Sequence, residues 1–217
     1  MIDFTSARTA MVDCQIRPSD VTRYPIIAAL LDIPRERFVP QAMSSVAYAG
    51  EHIGLAPGRV LLDPRVFAKM LDSLAVTPSD LVLDIGSGLG YSTAVIARLA
   101  EAVVGVEEDA GMCREAETQL AAIGADNAVI TEGPLAAGDP AHGPYDVILV
   151  EGGVQEVPAE IVAQLKDGGR IAALFSEGTF GQAKIGRKSG QRVIWKAEFD
   201  ATAPVLPGFE SESRFEF

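Results

Sequence analysis

The clearest candidate for chemistry in this sequence is a glycine-rich segment that directly follows a short apolar run. The run Leu81–Leu83 leads into Asp84, and glycines then occupy alternate positions up to Gly90. Because glycine has no Cβ, its backbone adopts positive φ readily and lets a ligand approach closely. An acid at the carboxyl end of a parallel strand lies where open α/β sheets bind ligands. We therefore predict a nucleotide-cofactor loop whose contact residues are Asp84, Gly86, Ser87, Gly88 and Gly90.

The glycine spacing distinguishes two classes of cofactor. The dinucleotide fingerprint Gly-x-Gly-x-x-Gly would place its third glycine at position 91, which is Tyr91 here. The order acid-x-Gly-x-Gly-x-Gly instead resembles the loop of class I S-adenosylmethionine-dependent methyltransferases. The resemblance implies S-adenosylmethionine as the cofactor, bound along the backbone of Gly86 and Gly88. Glycines in a strand-to-helix turn also serve packing alone, so the interpretation depends on a second element.

A second apolar run that ends in acid supplies this element. The run Val103–Val106 leads into Glu107 about 20 residues after the loop, the separation at which an acid accepts hydrogen bonds from the ribose hydroxyls. We predict that role for Glu107. Glu108 and Asp109 are expected to begin the next helix, where acids suit the positive helix end. The alternative is that all three acids form a solvated cap.

Apolar strands that alternate with helices position these residues. The pattern predicts an α/β fold: a Rossmann-like, mostly parallel sheet with helices on both faces, a helical N-terminal lobe and a C-terminal antiparallel hairpin. Predicted strands are 81–85, 102–107, 128–131, 145–150 and 169–175, with the hairpin at 183–188 and 191–199. Predicted helices are 5–17, 22–32, 65–75, 89–100, 110–123 and 158–166, while 42–62 is expected to be mixed, with turns marked by Gly50, Gly54, Pro57 and Gly58. We expect one domain, 1–217, made of the N-terminal lobe with the acceptor-site segment (1–76), the cofactor-binding core (77–176), and the hairpin and tail (177–217).

Composition narrows the possible partners and the compartment. The 217 residues carry a formal net charge of −12, which repels phosphate backbones and argues against nucleic acid as a partner. No apolar run approaches the roughly 18 residues that span a membrane, and no signal peptide is recognisable. The cysteines and histidines, Cys14, Cys113, His52 and His142, have neither disulfide nor metal-ligand spacing. We expect a cytoplasmic protein with no metal and no membrane partner, and the oligomeric state stays open.

A closer resemblance extends from residue 10 to about 175. The residues concerned are Pro34-Arg35-Glu36-Arg37-Phe38-Val39-Pro40, Ala47-Tyr48, Gly58, Pro64, Gly90-Tyr91-Ser92-Thr93-Ala94-Val95, Asn127, Gly133, Gly138, Pro144-Tyr145-Asp146, Pro158 and Gln164-Leu165-Lys166-Asp167-Gly168-Gly169-Arg170. In order and spacing they resemble the protein-L-isoaspartate O-methyltransferase family, repair enzymes that methylate an isoaspartyl carboxylate. The resemblance implies methyl transfer from S-adenosylmethionine.

The segment that faces the methyl acceptor departs from the family pattern. The family has Gly-Gln-Thr-Ile-Ser-Gln-Pro, with hydroxyl groups toward the acceptor and the methyl donor, whereas this chain has Gly58-Arg59-Val60-Leu61-Leu62-Asp63-Pro64. The resemblance therefore places Leu62 and Asp63 at the catalytic positions. A carboxylate against Leu62 loses hydrogen bonds worth at least ~1–3 kcal/mol, and an ionised Asp63 repels it. We expect isoaspartyl activity to be weak or absent. Asp63 either takes a proton from a neutral acceptor or caps the helix that begins at Pro64.

A second departure concerns the adenine end of the cofactor site. The family has Gly-Asp-Gly there, whereas Gly133-Pro134-Leu135 in this chain offers no side-chain acceptor. One lost hydrogen bond lowers affinity by about 0.5–1.5 kcal/mol, so we expect binding to survive, with Gly133 and Leu135 lining the site. Three functions stay open. The chain transfers methyl to a changed protein, peptide or small-molecule acceptor, performs the family reaction with another group in place of the serine, or binds the cofactor as a regulatory protein without methyl transfer.

Overall fold

The computed structural model describes residues 2–211, so Met1 and positions 212–217 of the predicted tail lie outside the described residues. Within this range the strands are β1 (Ile53–Ala56), β2 (Arg59–Leu61), β3 (Leu81–Ile85), β4 (Ala102–Glu107), β5 (Ala128–Glu132), β6 (Tyr145–Val154), β7 (Leu165–Glu177), β8 (Phe180–Ser189) and β9 (Arg192–Asp200). β3 to β9 form one sheet in the order β5-β4-β3-β6-β7-β8-β9. Its first five strands in this order are parallel, and β8 and β9 are antiparallel additions. The predicted mixed α/β sheet with a C-terminal hairpin is confirmed.

Helices cover both faces of this sheet. They are α1 (Phe4–Met11), α2 (Tyr24–Asp32), α3 (Pro64–Leu74), α4 (Tyr91–Ala97), α5 (Ala110–Ala122) and α6 (Ala159–Gln164). Because side chains alternate between the faces of a strand, Val82 of β3 packs into a core with α2, α3 and α4, whereas Leu83 packs into a second core with α6. Among the described residues, no helix combines the length and the apolar character needed to cross a membrane.

The N-terminal helix is shorter and less regular than predicted. α1 ends at Met11, and the chain continues as a π-helix, Val12–Ile16, and a 3-10 turn, Arg17–Ser19. Pro18 has no N–H to donate, and its ring clashes with the carbonyl four residues earlier, so a regular α-helix cannot run through it. The helix predicted at 22–32 begins at Tyr24, with no capping side chain before it.

The segment 42–62, predicted to be mixed with several turns, includes a short antiparallel hairpin. β1 and β2 pair through Ile53 with Leu61 and through Gly54 with Val60. Pro57 and Gly58 form the turn, and Gly58 has a φ of 71°. Strands of four and three residues are too short to produce a readable periodicity, although a Pro-Gly pair is a recognised turn signal.

Other boundaries differ from the prediction as well. The helix predicted at 89–100 begins at Tyr91, because Gly90, with a φ of 92°, precedes it in the left-handed conformation. The helix predicted at 158–166 ends at Gln164, because Leu165 is extended and already belongs to β7. β6 continues four residues past position 150, to Val154.

After β9 the C-terminal segment, residues 201–211, returns to the carboxyl end of β6. The Gly153 N–H donates to the Pro204 carbonyl at 2.8 Å, and the Leu206 N–H donates to the Gly153 carbonyl at 2.9 Å. Leu206 and Phe209 are buried in the core that contains Leu83. This segment therefore lies at the same end of the sheet as the glycine loop.

Candidate active site

The glycine loop has the conformation that its sequence predicts. Gly86, Gly88 and Gly90 have φ angles of 81°, 56° and 92°, a region that only glycine adopts readily. The N–H groups of Gly86 and Ser87 donate to the Val106 carbonyl at 2.9 and 3.3 Å. The loop is thus held against the end of β4.

Asp84 ties the end of β3 to the helix that follows the loop. Its buried carboxylate accepts hydrogen bonds from the hydroxyls of Ser92 at 2.7 Å and Thr93 at 2.6 Å. The second oxygen, Oδ1, and the hydroxyl of Ser87 have no hydrogen-bond partner within residues 2–211. Burial raises the pKa of Asp84 to about 6, against the effect of the two hydroxyl donors. Asp84 and Ser87 therefore lie at the loop as predicted, and each retains an unused polar atom.

Glu107 lies at the predicted position, but its carboxylate is already bound. Arg59 donates from Nη1 to Oε1 at 2.7 Å and from Nη2 to Oε2 at 2.6 Å. Backbone N–H groups of Gly88, Glu108 and Asp109 donate to the same carboxylate. Glu107 is fully buried, so the alternative of a solvated cap is wrong for this residue. Asp109 does begin the next helix, where it accepts from the first-turn N–H groups.

Side chains from two distant segments fill the space in front of the loop. A Cβ built on Gly88 would lie 2.6 Å from Cδ1 of Leu55, which belongs to β1. A Cβ built on Gly86 would lie 3.2 Å from Cδ1 of Leu206 and 3.4 Å from Nη2 of Arg59. The loop is therefore covered by the β1–β2 hairpin and by the C-terminal segment.

The predicted adenine end is open at one position and closed at the other. The Gly133 N–H donates to the Glu107 carbonyl at 2.9 Å. A Cβ on Gly133 would meet no atom of the described chain within 4 Å, which leaves space there. The side chain of Leu135, in contrast, is fully buried in the core that contains Leu83. The Leu135 side chain therefore packs into the core and does not face the predicted cofactor site. That the backbone of Leu135 contacts the cofactor stays a prediction.

Leu62 and Asp63 have structural roles in this conformation. The Leu62 side chain is fully buried in the core of the N-terminal lobe, and its carbonyl accepts from Nη2 of Arg35 at 2.6 Å. Asp63 is the N-cap of α3 and accepts from the Arg65 N–H at 2.7 Å. Of the two alternatives for Asp63, the structure thus shows the helix cap.

His52 connects this segment to the C-terminal segment. Its Nδ1 accepts from the Asp63 N–H at 2.8 Å, and its Nε2 lies 2.7 Å from the Thr202 carbonyl. A nitrogen that accepts from an N–H carries no proton, so Nε2 carries it and donates to Thr202. His52 therefore fixes the position of α3 relative to residues 201–211.

Sequence reasoning missed two residues of this site, Arg59 and Glu151. Arg59 replaces the glutamine of the family segment, a signal that was present in the sequence. Glu151 follows the apolar run Val147–Val150, as Asp84 and Glu107 follow theirs. Since Asp84 pairs with Leu149 in the sheet, Glu151 lies on the same face as Asp84, two residues further along β6. Burial and the Asp84 carboxyl raise the pKa of Glu151 well above its usual range.

The sheet order, the glycine loop after β3 and the acid at the end of β4 define a class I methyltransferase. The sequence model of the family described as protein-L-isoaspartate(D-aspartate) O-methyltransferase (PCMT) matches residues 6–201. The protein-L-isoaspartate O-methyltransferase of Methanoregula boonei is 37% identical over 164 residues, which are 76% of this chain and 76% of the relative. That of Vibrio cholerae is 35% identical over 188 residues, 87% of this chain and 90% of the relative. The chain belongs to the protein-L-isoaspartate O-methyltransferase family.

Solved structures agree with this assignment. A protein-L-isoaspartate O-methyltransferase matches 93% of this chain with a TM-score of 0.80 at 26% identity, and this chain covers 66% of that protein. A protein of Plasmodium falciparum, described as a beta-aspartate methyltransferase in complex with S-adenosyl-L-homocysteine, covers 95% of this chain and 99% of its own length. Its TM-score is 0.77, and at 17% identity it shows the fold alone. By family and fold the chain is an S-adenosylmethionine-dependent methyltransferase, and a regulatory protein without methyl transfer is not favoured.

Proposed function

We propose that this chain transfers methyl groups to a protein or peptide acceptor and that isoaspartyl carboxylates are poor acceptors. The observation that carries the second part is the full burial of the Leu62 side chain. The side-chain oxygens of residues 60–63 belong to Asp63, whose carboxylate caps α3. A carboxylate placed against this segment finds no hydroxyl donor and loses hydrogen bonds worth about 1–3 kcal/mol.

The charges at this edge of the sheet also disfavour an anionic acceptor. Asp84, Glu107 and Glu151 are buried in the carboxyl-terminal halves of β3, β4 and β6. Within residues 2–211, Glu107 alone of the three forms an ion pair with an arginine. A further carboxylate would lose hydration in this buried region, beside the Asp84 carboxyl, and this penalty adds to the lost hydrogen bonds. An acceptor without negative charge avoids both penalties.

The residues at the loop are of the kinds that hold S-adenosylmethionine. Gly86, Gly88 and Gly90 have the required backbone conformation, Glu107 is the acid for the ribose, and Gly133 leaves space at the adenine end. When bound, the cofactor supplies an electrophilic methyl group on a sulfonium. The protein then has to align the acceptor with this methyl, since displacement in line depends on orientation.

The acceptor proposal is tested with purified protein, S-adenosylmethionine labelled in its methyl group, and an isoaspartyl peptide. An aspartyl peptide of the same sequence is the blank, and the Vibrio cholerae relative is assayed in parallel. We expect transfer to the isoaspartyl peptide at least about 30-fold slower than with the relative, as a barrier higher by about 2 kcal/mol gives. Label incorporated into proteins of a cell extract supports a protein acceptor. Turnover of the isoaspartyl peptide at the rate of the relative would contradict the proposal.

We also assign the enzyme to the cytoplasm. Cys14 is exposed, Cys113 is buried, and neither forms a disulfide within the described part of the chain. A reducing compartment keeps such thiols free. Fractionation of cells, with the protein detected by antibody, tests this assignment, and recovery outside the cytoplasmic fraction would contradict it.

A further inference from the structure

The guanidinium of Arg59 lies where the sequence predicts the ribose of the cofactor. Arg59 is the first residue of β2, and its side chain is 7% exposed. It makes two parallel hydrogen bonds with the Glu107 carboxylate, at 2.7 and 2.6 Å. This bidentate geometry is the strongest form of the arginine–carboxylate pair. Glu107 was predicted to use the same two oxygens for the ribose hydroxyls.

The Glu107 carboxylate has no acceptor capacity left for a ribose. A carboxylate offers about four lone-pair positions. Within the described chain Glu107 already accepts from both Arg59 nitrogens and from the N–H groups of Gly88, Glu108 and Asp109. The backbone donors belong to the glycine loop and to the two residues that follow β4, whereas Arg59 donates from a segment distant in sequence. The two hydroxyls of a ribose can therefore bind only if Arg59 leaves.

Arg59 and Leu55 belong to the same unit of structure, the β1–β2 hairpin. This hairpin forms a two-stranded sheet of its own and does not pair with the main sheet. Its Ile53 and Leu61 side chains are buried in the core, whereas Arg59 and Leu55 contact Glu107 and the glycine loop. One displacement of the hairpin would free Glu107 from Arg59 and Gly88 from Leu55.

We propose that Arg59 sets the cofactor affinity of this chain, by occupying Glu107 in place of the ribose until the β1–β2 hairpin moves away. This inference rests on the proposed methyltransferase function, because it requires that the ribose binds to Glu107. It adds that the chain binds the cofactor less tightly than the same scaffold without an arginine at position 59.

The test is calorimetric titration with S-adenosylhomocysteine. Arg59→Gln introduces the residue that the family segment has at this position and removes the competing guanidinium. We expect this variant to bind about 10- to 100-fold more tightly than the unmodified chain, as the loss of competing hydrogen bonds to a charged group gives. Arg65→Gln is the matched control, because it removes the same charge from an exposed residue of α3. The control should bind as the unmodified chain does.

The outcomes separate this inference from the proposed function. Equal or weaker binding by Arg59→Gln, with measurable binding by the unmodified chain, overturns the inference and leaves the proposed function standing. Absence of binding by all three proteins overturns both. If Arg59→Gln does not unfold cooperatively in urea, Arg59→Lys replaces it, because lysine keeps the cation beside Glu107 without the bidentate fork. Arg59→Lys should then bind more tightly than the unmodified chain, and equal or weaker binding overturns the inference.

Discussion

Replacing either member of the Arg59–Glu107 pair should destabilise the folded chain, and replacing both should destabilise it by less than the sum. The reason is the burial of both groups, with side-chain exposures of 7% and 0%. Removing one partner of a buried pair leaves the other charge without compensation, which typically destabilises by about 3–5 kcal/mol. Removing both leaves no buried charge behind.

The structure predicts that the two single variants differ. In Arg59→Met the Glu107 carboxylate keeps three backbone N–H donors. We therefore expect the free energy of unfolding to fall by about 3 kcal/mol, the lower end of the range for a broken buried pair. In Glu107→Gln the guanidinium keeps one carboxylate among the described residues, that of Glu108, whose Oε1 lies 4.0 Å from Nη1. We therefore expect the free energy of unfolding of this variant to fall by about 5 kcal/mol, the upper end of that range. The double variant should be no less stable than Glu107→Gln, which gives a coupling energy of at least about 3 kcal/mol.

The assay is urea unfolding of the four proteins without cofactor, with the exposed pair Arg17–Asp13 as a matched cycle. Those side chains are 49% and 57% exposed and lie in the π-helix and the 3-10 turn that follow α1, so a coupling of about 0.2–1 kcal/mol is expected there. If the Arg59–Glu107 cycle is additive within about 0.5 kcal/mol, Arg59 does not hold Glu107 in solution. The geometric argument for cofactor affinity would then lose its basis.

Two further predictions concern Leu62 and Asp84. Leu62→Ala should lower the free energy of unfolding by about 2–5 kcal/mol, and Val60→Ala, at a partly exposed position, should lower it by less. A loss below about 1 kcal/mol in urea unfolding would show that Leu62 faces open space, as an acceptor pocket requires. For Asp84 the pKa rises from 3.8 to about 6 on folding, so the folded chain binds this proton more readily than the unfolded chain does. The contribution of this group to stability therefore increases as the pH falls from about 6 to about 4, by at most about 3 kcal/mol, and Asp84→Asn should remove it. Unfolding measured between about pH 4 and about pH 7 checks this, and equal pH dependence in both proteins would contradict it.

Features of this fold that depend on neighbouring residues were predictable. The bounds predicted for β3 and β4 are those of the structure, since each strand is a short apolar run with an acid as its last or next-to-last residue. The caps formed by Asp63 and Asp109 involve N–H groups two or three residues further along the chain. Their residue types and positions before a helix are enough to indicate them.

The contact of Arg59 with Glu107 could not be predicted in this way. It joins residues 48 positions apart, and it exists only because the β1–β2 hairpin folds over the glycine loop. The sequence shows the Pro57–Gly58 turn and the arginine, but not the direction in which a three-residue strand presents its side chain. A pattern of residues identifies the acid of a site more readily than the group that binds this acid in the folded chain.

Glu151 was missed because the two glycines after it can be interpreted in two ways, as the end of a strand or as a close approach of another segment. Gly152 and Gly153 indicate the end of a strand, and the strand was predicted to end at position 150. In the structure β6 continues through both glycines. Leu206 of the C-terminal segment packs directly against this part of β6, and a Cβ on Gly152 would lie 2.6 Å from its Cδ2. Glycine in a strand often marks such a close approach of another segment. The pair of glycines therefore seats Leu206 beside Gly86, and it places a third buried acid next to Asp84 at the edge where methyl transfer is proposed.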